Sequence, residues 1–181
     1  MKGSRILATI GAIVLAGSVH AQTVHADFDA KTDFSQYRSF AIQADDSAPT
    51  PFVQERIEKA IAAQLEARGM KTAPADAADF VAHTHVRISS EKVVDFDTFG
   101  YAGYYHGWGG PGYTTATVRE IPVGALMVDL VDAKGKKMLW RGVVEGTLST
   151  NPTPAKSEKR INKAVVKLFR KYPVPLVPKK K

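Results

Sequence analysis

The chain contains no cysteine, and this absence removes several kinds of chemistry at once. Disulfides, thiolate metal ligands and redox-active thiols all need a cysteine side chain, so the fold must be stabilised by apolar burial and backbone pairing. A bacterial lipoprotein also needs a cysteine at its mature N-terminus, to which the lipid is attached. The sequence therefore predicts a protein that carries no lipid anchor.

Long apolar runs and the common catalytic motifs are missing as well. The run from Ile6 to Ala16 is about half the ~20 residues that span a bilayer as a helix. The glycines at 107–112 are not followed by the Lys-Ser/Thr pair of a phosphate-binding loop. Ser149 does not stand in a GxSxG context. We therefore assign no catalytic residue and no cofactor from the sequence.

The N-terminus has the pattern of an export signal. Lys2 and Arg5 precede the apolar run, and Val19-His20-Ala21 supplies the small-x-small pattern that signal peptidases cleave. We expect a signal peptide over 1–21, with cleavage after Ala21 or, alternatively, after Ala26, and a location in the periplasm. Residues 22–181 suffice for one domain, which we expect over 22–175, followed by a basic tail over 176–181.

The positive charge of the chain is concentrated at its C-terminal end. The formal net charge is +7, but residues 156–181 contain ten Lys or Arg and a single acid, Glu158. An exported protein does not meet chromosomal DNA, so anionic lipid, lipopolysaccharide or cell-wall polymer is the expected target of this charge. The alternative is a solvated helix face with a frayed lysine tail.

Hydrophobic periodicity predicts five strands and two helices. Alternation predicts strands over 23–29, 38–42, 79–90, 124–132 and 138–148, with further extended chain over 115–120. Apolar residues at helical spacing predict one helix that begins at Thr50 or Pro51 and is closed by Gly69, and another from Ala155 that ends before Pro173.

The order of these elements, β-β-α-β-β-β-α, predicts the fold class. It is typical of an α+β fold with an antiparallel or mixed β-sheet of about five strands and two amphipathic helices packed on one face. The segment 124–132 is apolar on both faces, which predicts a central strand. Residues 132–137 are predicted to form a hairpin turn in which Gly135 has a positive φ, and Trp140 is predicted to be in the core.

Several segments together resemble a known family. They are DFSQYRSFAI, VQERIEKAIAAQLEARGM, ADFVAHTHV, a Gly/Tyr/Trp loop before a Thr-rich strand ending in VRE, ALMVDLVDAKGKKMLWRGVVEGTLS and SEKRINKAVVKLFRKYP. In this order they resemble the domain of unknown function 4136 family of exported bacterial envelope proteins, over nearly the whole mature chain. Many members look like lipoproteins, and this chain departs from them by having no cysteine. The family has no assigned activity, so the resemblance implies no catalytic residue.

The segment 99–113 is the most unusual candidate binding surface. Six glycines alternate there with aromatic side chains that bring large amphipathic contact area at modest entropic cost. We predict a loop or hairpin tip that binds a sugar, a peptide or a membrane; a mobile low-complexity tip is the alternative. The candidate binding residues are Tyr101, Tyr104, Tyr105, Trp108 and Tyr113.

His83 and His85 form the one close histidine pair of the sequence. On a strand this spacing places both rings on one face, as a metal site requires. A third ligand would have to come from His106, Glu91 or Asp95, and nothing in the sequence fixes that geometry. Polar surface is the simpler interpretation, and we assign no metal.

These observations predict a periplasmic or envelope-associated protein that acts by binding, as an accessory domain. The expected partner is an envelope protein, a glycan or an anionic lipid, with no nucleic acid and no transmembrane span once the leader is removed. The alternative is a small envelope hydrolase that acts on cell-wall or lipid substrates. The oligomeric state stays open.

Overall fold

The computed structural model describes residues 22–99 and 113–178. Within them, two α-helices and six strands form two layers, and the short 3-10 helix Phe34–Gln36 precedes the second strand. In chain order the elements are β1 Thr23–Phe28, β2 Ser39–Ala44, α1 Pro51–Glu66, β3 Lys71–Thr72, β4 Phe80–Phe99, β5 Tyr113–Asp132, β6 Met138–Thr147 and α2 Pro154–Phe169.

The strands form one mixed sheet in the order β1-β6-β5-β4-β2-β3. β2 runs parallel to β3 and to β4, whereas the β4–β5, β5–β6 and β1–β6 pairs are antiparallel. The predicted α+β class with a mixed sheet is confirmed, and so is the central place of the 124–132 segment in β5. β3 escaped prediction because two residues are too few to show alternation.

β4 and β5 are much longer than the sequence predicts. They pair continuously from Phe80 opposite Asp132 to Phe99 opposite Tyr113. The predicted segments 115–120 and 124–132 are thus one strand. Pro122 interrupts the alternation between them without ending the strand, because its carbonyl oxygen still accepts the N–H of Leu148 at 2.7 Å.

Both helices begin with the same local device. The Thr50 side chain accepts the N–H of Val53, the Thr153 side chain accepts the N–H of Lys156, and each threonine is followed by a proline in the first turn. The predicted start and end of α1 are confirmed, with Gly69 in the left-handed region at φ 83°. α2 begins at Pro154, one residue before the predicted position.

The core lies between the helices and one face of the sheet. Alternate residues of β4 and β5 point into it, for example Phe80 and Leu130, which have no exposed surface. Ile61 and Leu65 of α1 and Leu168 and Phe169 of α2 cover them in one cluster of buried side chains. The prediction that both helices pack on the same face is therefore confirmed, and Trp140 lies in this core without exposed surface.

The turn between β5 and β6 corrects one prediction. The positive φ of this turn belongs to Lys136, at 53°, and not to Gly135. The Asp132 carboxylate accepts the N–H groups of Lys134 and Gly135, and a Cβ at Gly135 would lie 3.1 Å from its Oδ1 atom. A side chain here would crowd the carboxylate, so this position favours glycine for its small size rather than for its backbone conformation.

Arg68 joins the C-terminal ends of both helices although only 8% of its surface is exposed. Its guanidinium donates to the carbonyl oxygens of Gln64 in α1 (2.7 Å), Phe169 in α2 (2.7 Å) and Val174 after α2 (2.9 Å). It also lies 5.9 Å from the ring centre of Tyr172. A cation is favourable at helix C-termini, where carbonyl groups lack intrahelical partners.

No helix in the described ranges 22–99 and 113–178 is long and apolar enough to cross a membrane.

After α2 the chain returns across the end of α1, where the N–H of Val177 donates to the carbonyl oxygen of Ala67 at 3.0 Å.

Among Gly69, Gly124, Gly135, Gly142 and Gly146, Gly142 leaves the least room for a Cβ. A Cβ there would lie 2.2 Å from Cη2 of Trp140 and 2.7 Å from Cδ1 of Leu168, and both side chains are fully buried. We expect Gly142→Ala to lower the free energy of unfolding by about 3 kcal/mol or more, because rigid neighbours must move. Urea denaturation followed by tryptophan fluorescence measures the change.

Gly146→Ala is the matched control in the same strand. Its Cβ would lie closest to Cγ of Gln22, at 3.0 Å, in a flexible side chain that can shift, while Cα and Cβ of Gln22 lie at an ordinary contact distance of 3.8 Å. This variant should lose less than about 1 kcal/mol. Equal losses in the two variants would contradict the proposed role of Trp140 packing over Gly142.

Candidate functional site

An apolar groove of about 320 Å³ opens at the end of the helix layer opposite Arg68. Val53 and Ile57 from the first half of α1 form one wall, and Ile161 and Ala164 from α2 form the other. The helices run in the same direction, since Arg68 binds both C-terminal ends while both N-terminal halves line the groove.

The floor of the groove is formed by three adjacent strands. Val86 and Ile88 of β4, Leu126 of β5 and Val144 of β6 contribute apolar side chains. Ile88 is 49% exposed although it continues the core face of β4, because the helices do not extend over it. The groove is thus a part of the core face that the helix layer leaves open.

Two glycines deepen this floor. Gly124 and Gly146 are direct partners in the β5–β6 register. A Cβ at Gly124 would lie 2.8 Å from Cδ2 of Leu148, so that leucine lies across the space where a side chain would be. Glycine at this position allows close approach of the chain after β6 to the floor.

The α2 side of the groove is basic. A second cavity of about 360 Å³ shares Gln22, Leu148 and Arg160 with the groove and adds Lys163 and Lys167. Arg160 donates to the carbonyl oxygen of Thr147 at the end of β6. The predicted basic face of the last helix therefore lines a cavity that adjoins the apolar groove, which the sequence did not show.

The described residues that line the groove do not include a pair of side chains suited to act as general acid and general base. No histidine lines it, and its one carboxylate residue is Glu145. Glu145 alternates with Val144, which is 3% exposed and points into the core, so the Glu145 side chain projects from the opposite face of β6.

A serine, an aspartate and a histidine do meet elsewhere, beside β4. The Asp45 carboxylate contacts both the Ser47 hydroxyl and Nδ1 of His85, and Ser47 Oγ accepts the N–H of Val86 at 2.6 Å. The Ser47 hydroxyl holds the pKa of Asp45 at about 2, with His85 as the next cause. In a hydrolytic triad the histidine stands between serine and carboxylate, whereas here the carboxylate stands in the middle.

The role of this cluster is structural. Its contacts attach the segment that follows β2 to the part of β4 after Thr84, where the β2–β4 pairing has ended. The same segment leads to Pro49, which lines the groove.

The histidine pair forms no metal site in the part of the chain that the structure describes. His83 and His85 lie on the face of β4 away from the helices, as predicted, and His85 is engaged with Asp45. Residues 22–99 and 113–178 contain no group of three side chains that could hold a metal ion. Of the proposed third ligands, His106 lies outside these residues, and Asp95 is paired with Arg119.

Only one of the five predicted aromatic binding residues, Tyr113, belongs to the described part of the chain. Tyr101, Tyr104, Tyr105 and Trp108 lie outside the described residues. Tyr113 is the first residue of β5, opposite Phe99. A binding role for the aromatic loop stays a prediction.

The groove itself was missed by sequence reasoning. Its wall residues form part of the amphipathic stripes that predict the helices, and they are indistinguishable there from core positions. The one signal available was the glycine content of β5 and β6. It becomes meaningful only when the register places Gly124 beside Gly146.

Together these elements define a two-layer α+β domain with two helices of the same direction over a mixed sheet. The chain belongs to the DUF4136 family, a domain of unknown function, whose family model matches residues 24–174. The predicted resemblance is thereby confirmed. None of the curated proteins is significantly similar to this chain in sequence.

Solved structures share the fold at low sequence identity. A DUF4136 family protein from Bacteroides thetaiotaomicron is 17% identical, with a TM-score of 0.51 over 84% of this chain and 96% of that one. PelC from Paraburkholderia phytofirmans, a dodecamer, is 15% identical, with a TM-score of 0.50 over 82% and 95%.

A PDZ domain protein from Parabacteroides distasonis is 13% identical, with a TM-score of 0.57 over 86% of this chain. The matched part is only 37% of that protein, so this chain spans little more than a third of its length. At these identities the likeness establishes the fold alone.

Acid should destabilise the fold between about pH 4 and pH 2. Hydrogen bonds hold the pKa of Asp29 and Asp45 at about 2 and lower the pKa of Asp79 and Asp132 below the ordinary value of 3.8. A carboxyl whose pKa is lower in the folded state contributes stability above the unfolded-state pKa. It loses that stability as the pH falls through the folded-state value.

We therefore expect the urea midpoint to be constant from pH 7 to about pH 5 and to fall steeply below pH 4. Asp45→Asn should lower the midpoint at pH 7 and make the acid dependence shallower. Asp76→Asn, which removes an exposed carboxylate without a hydrogen bond in the described structure, should follow the unmodified protein. An acid dependence that is the same in Asp45→Asn and Asp76→Asn would refute the role of the Asp45 cluster.

Proposed function

We propose that this protein is an exported, non-catalytic binding protein of the bacterial envelope and that the groove between α1 and α2 is its ligand site. The observation that carries the proposal is the groove itself, with apolar side chains from both helices and three strands around about 320 Å³. Largely apolar, preformed concave sites of this kind are typical of ligand-binding pockets, which start at about 300 Å³.

The surroundings of the groove favour binding over hydrolysis. Hydrolysis needs a nucleophile or an activated water with an acid and a base within hydrogen-bond reach. The described lining residues include no histidine, and the side chain of Glu145 projects from the other face of the sheet. The envelope hydrolase that the sequence left open as the alternative has no support in this groove.

The position of β1 supports cleavage after Ala21. β1 runs from Thr23 to Phe28 and pairs along its length with β6, with Ala26 opposite Gly142. Cleavage after Ala26 would remove most of this strand and expose the edge of β6. The mature chain proposed here begins at Gln22, which lines the groove.

Binding of a neutral apolar probe tests the ligand site. N-phenyl-1-naphthylamine should show saturable fluorescence enhancement with the purified protein. Ala164→Trp places an indole in the groove and should weaken this binding at least tenfold, whereas Ala63→Trp adds the same bulk on the exposed face of α1 and should leave it unchanged. Equal binding by both variants would refute the proposed site.

Fractionation of cells that express the full chain tests export. We expect the protein in the periplasmic extract, with an intact mass that corresponds to a chain starting at Gln22. Replacement of Ala21 by a bulky residue, such as Ala21→Phe, should block cleavage and leave the precursor in the membrane fraction. Recovery of the unmodified protein in the cytoplasm with its leader intact would overturn the proposal of export.

A further inference from the structure

We propose that the ligand of the groove is an amphiphile with one hydrocarbon chain and an anionic head, the chain lying in the groove and the head against Arg160, Lys163 and Lys167. This inference rests on the proposed function and specifies the chemical class of the ligand. The observation behind it is the continuity of an apolar cavity with a basic one.

The two cavities are joined rather than merely close. Gln22, Thr147, Leu148, Ser149 and Arg160 line both of them. A molecule that extends from the floor of the groove past Leu148 therefore reaches Lys163 and Lys167 without leaving the protein surface. The apolar groove and the basic cavity therefore follow one another along the surface, as the hydrocarbon chain and the charged head of an amphiphile do.

Lys163 and Lys167 are available to a ligand, whereas Arg160 also donates to the carbonyl oxygen of Thr147. Arg160, Lys163 and Lys167 follow one another at helical spacing on the side of α2 that borders the second cavity. Within the described residues, neither Lys163 nor Lys167 has a hydrogen bond or ion pair to a carboxylate, and the acid of this helix, Glu158, does not line either cavity. The local charge is thus uncompensated and favours an anion.

Gln22 adds a polar group at the junction of the cavities. Its Oε1 atom is buried and has no hydrogen-bond partner in the described structure. Buried polar atoms are normally satisfied, so a partner from a ligand or from water is expected here. The polar head of an amphiphile that lies at this junction would supply one.

The dimensions favour one chain over two. The groove, at about 320 Å³, is near the lower end of the range of about 300–1,000 Å³ for ligand pockets. A two-chain lipid would leave one chain in water, at a cost of about 0.8 kcal/mol for each exposed CH₂ group. We therefore infer a free fatty acid or a single-chain phospholipid fragment, which share this chemistry.

Displacement of bound N-phenyl-1-naphthylamine by twelve-carbon competitors tests the head group. Laurate, dodecyl phosphate, dodecanol and dodecyltrimethylammonium are compared below their micelle concentrations. We expect at least one of the two anions to displace the probe at about tenfold lower concentration than dodecanol, and the cation to be the weakest. The better anion identifies the source, with laurate indicating a fatty acid and dodecyl phosphate indicating a phospholipid fragment.

Charge variants then locate the head. Lys163→Gln combined with Lys167→Gln should reduce the affinity for the preferred anion about tenfold and leave binding of the neutral probe unchanged. The control, Lys159→Gln combined with Lys171→Gln, removes the same charge from exposed positions that line neither cavity and should have little effect.

The binding experiments distinguish an error in the proposed head group from an error in the proposed ligand site. If the neutral probe binds but the anions compete no better than dodecanol, the anionic head is refuted while the apolar site stands. Equal losses in the two double variants would also refute it, because the effect would then be one of net charge. If the unmodified protein does not bind the probe at all, the proposed function fails as well.

Discussion

The packing of Trp140 against a glycine in its own strand is the contact on which the rest of the structure depends. The indole fills the space where a Cβ of Gly142 would be and lies 5.4 Å from the ring centre of Phe169 and 5.5 Å from that of Tyr172. This stack fixes α2 on the sheet. It also places Phe169 and Tyr172 beside Arg68, whose hydrogen bonds then join the end of α2 to the end of α1.

The groove follows from that arrangement. Both helices are held at their C-terminal ends by one buried guanidinium and by the aromatic cluster beneath it. At their N-terminal ends the sheet continues past them, because β4 and β5 extend well beyond the helix layer. The apolar face of the sheet is therefore covered at one end and open at the other, and Val86, Ile88 and Leu126 line the opening. An apolar surface left open in this way is typical of a binding site.

The sequence predicted the two helices well because side chains close by in the chain determine where each helix starts. The side chains of Thr50 and Thr153 each accept a backbone N–H group three residues further on. The start of each helix therefore depends on residues that are adjacent in the sequence. The Gly135 prediction was wrong because the conformation of the turn depends on the Asp132 carboxylate, which takes the N–H groups of Lys134 and Gly135 and shifts the positive φ to Lys136. The full length of β4 and β5 was not predicted for a related reason. Each strand is stabilised by pairing with the other along its whole length, and not by an alternation of polar and apolar residues within it.

By itself the sequence determined the absence of cysteine chemistry, the leader pattern, the two amphipathic helices, the α+β class and the family, because each depends on composition or on spacing along one segment. Only the tertiary structure decided that Gly124 lies beside Gly146 and that the basic residues of α2 line a cavity that adjoins the apolar groove. Those relations join residues far apart in the chain, and they are set by strand register and by the packing of α2 over Trp140. No local pattern of side chains encodes either of these directly, since the same alternation is compatible with several registers and helix positions.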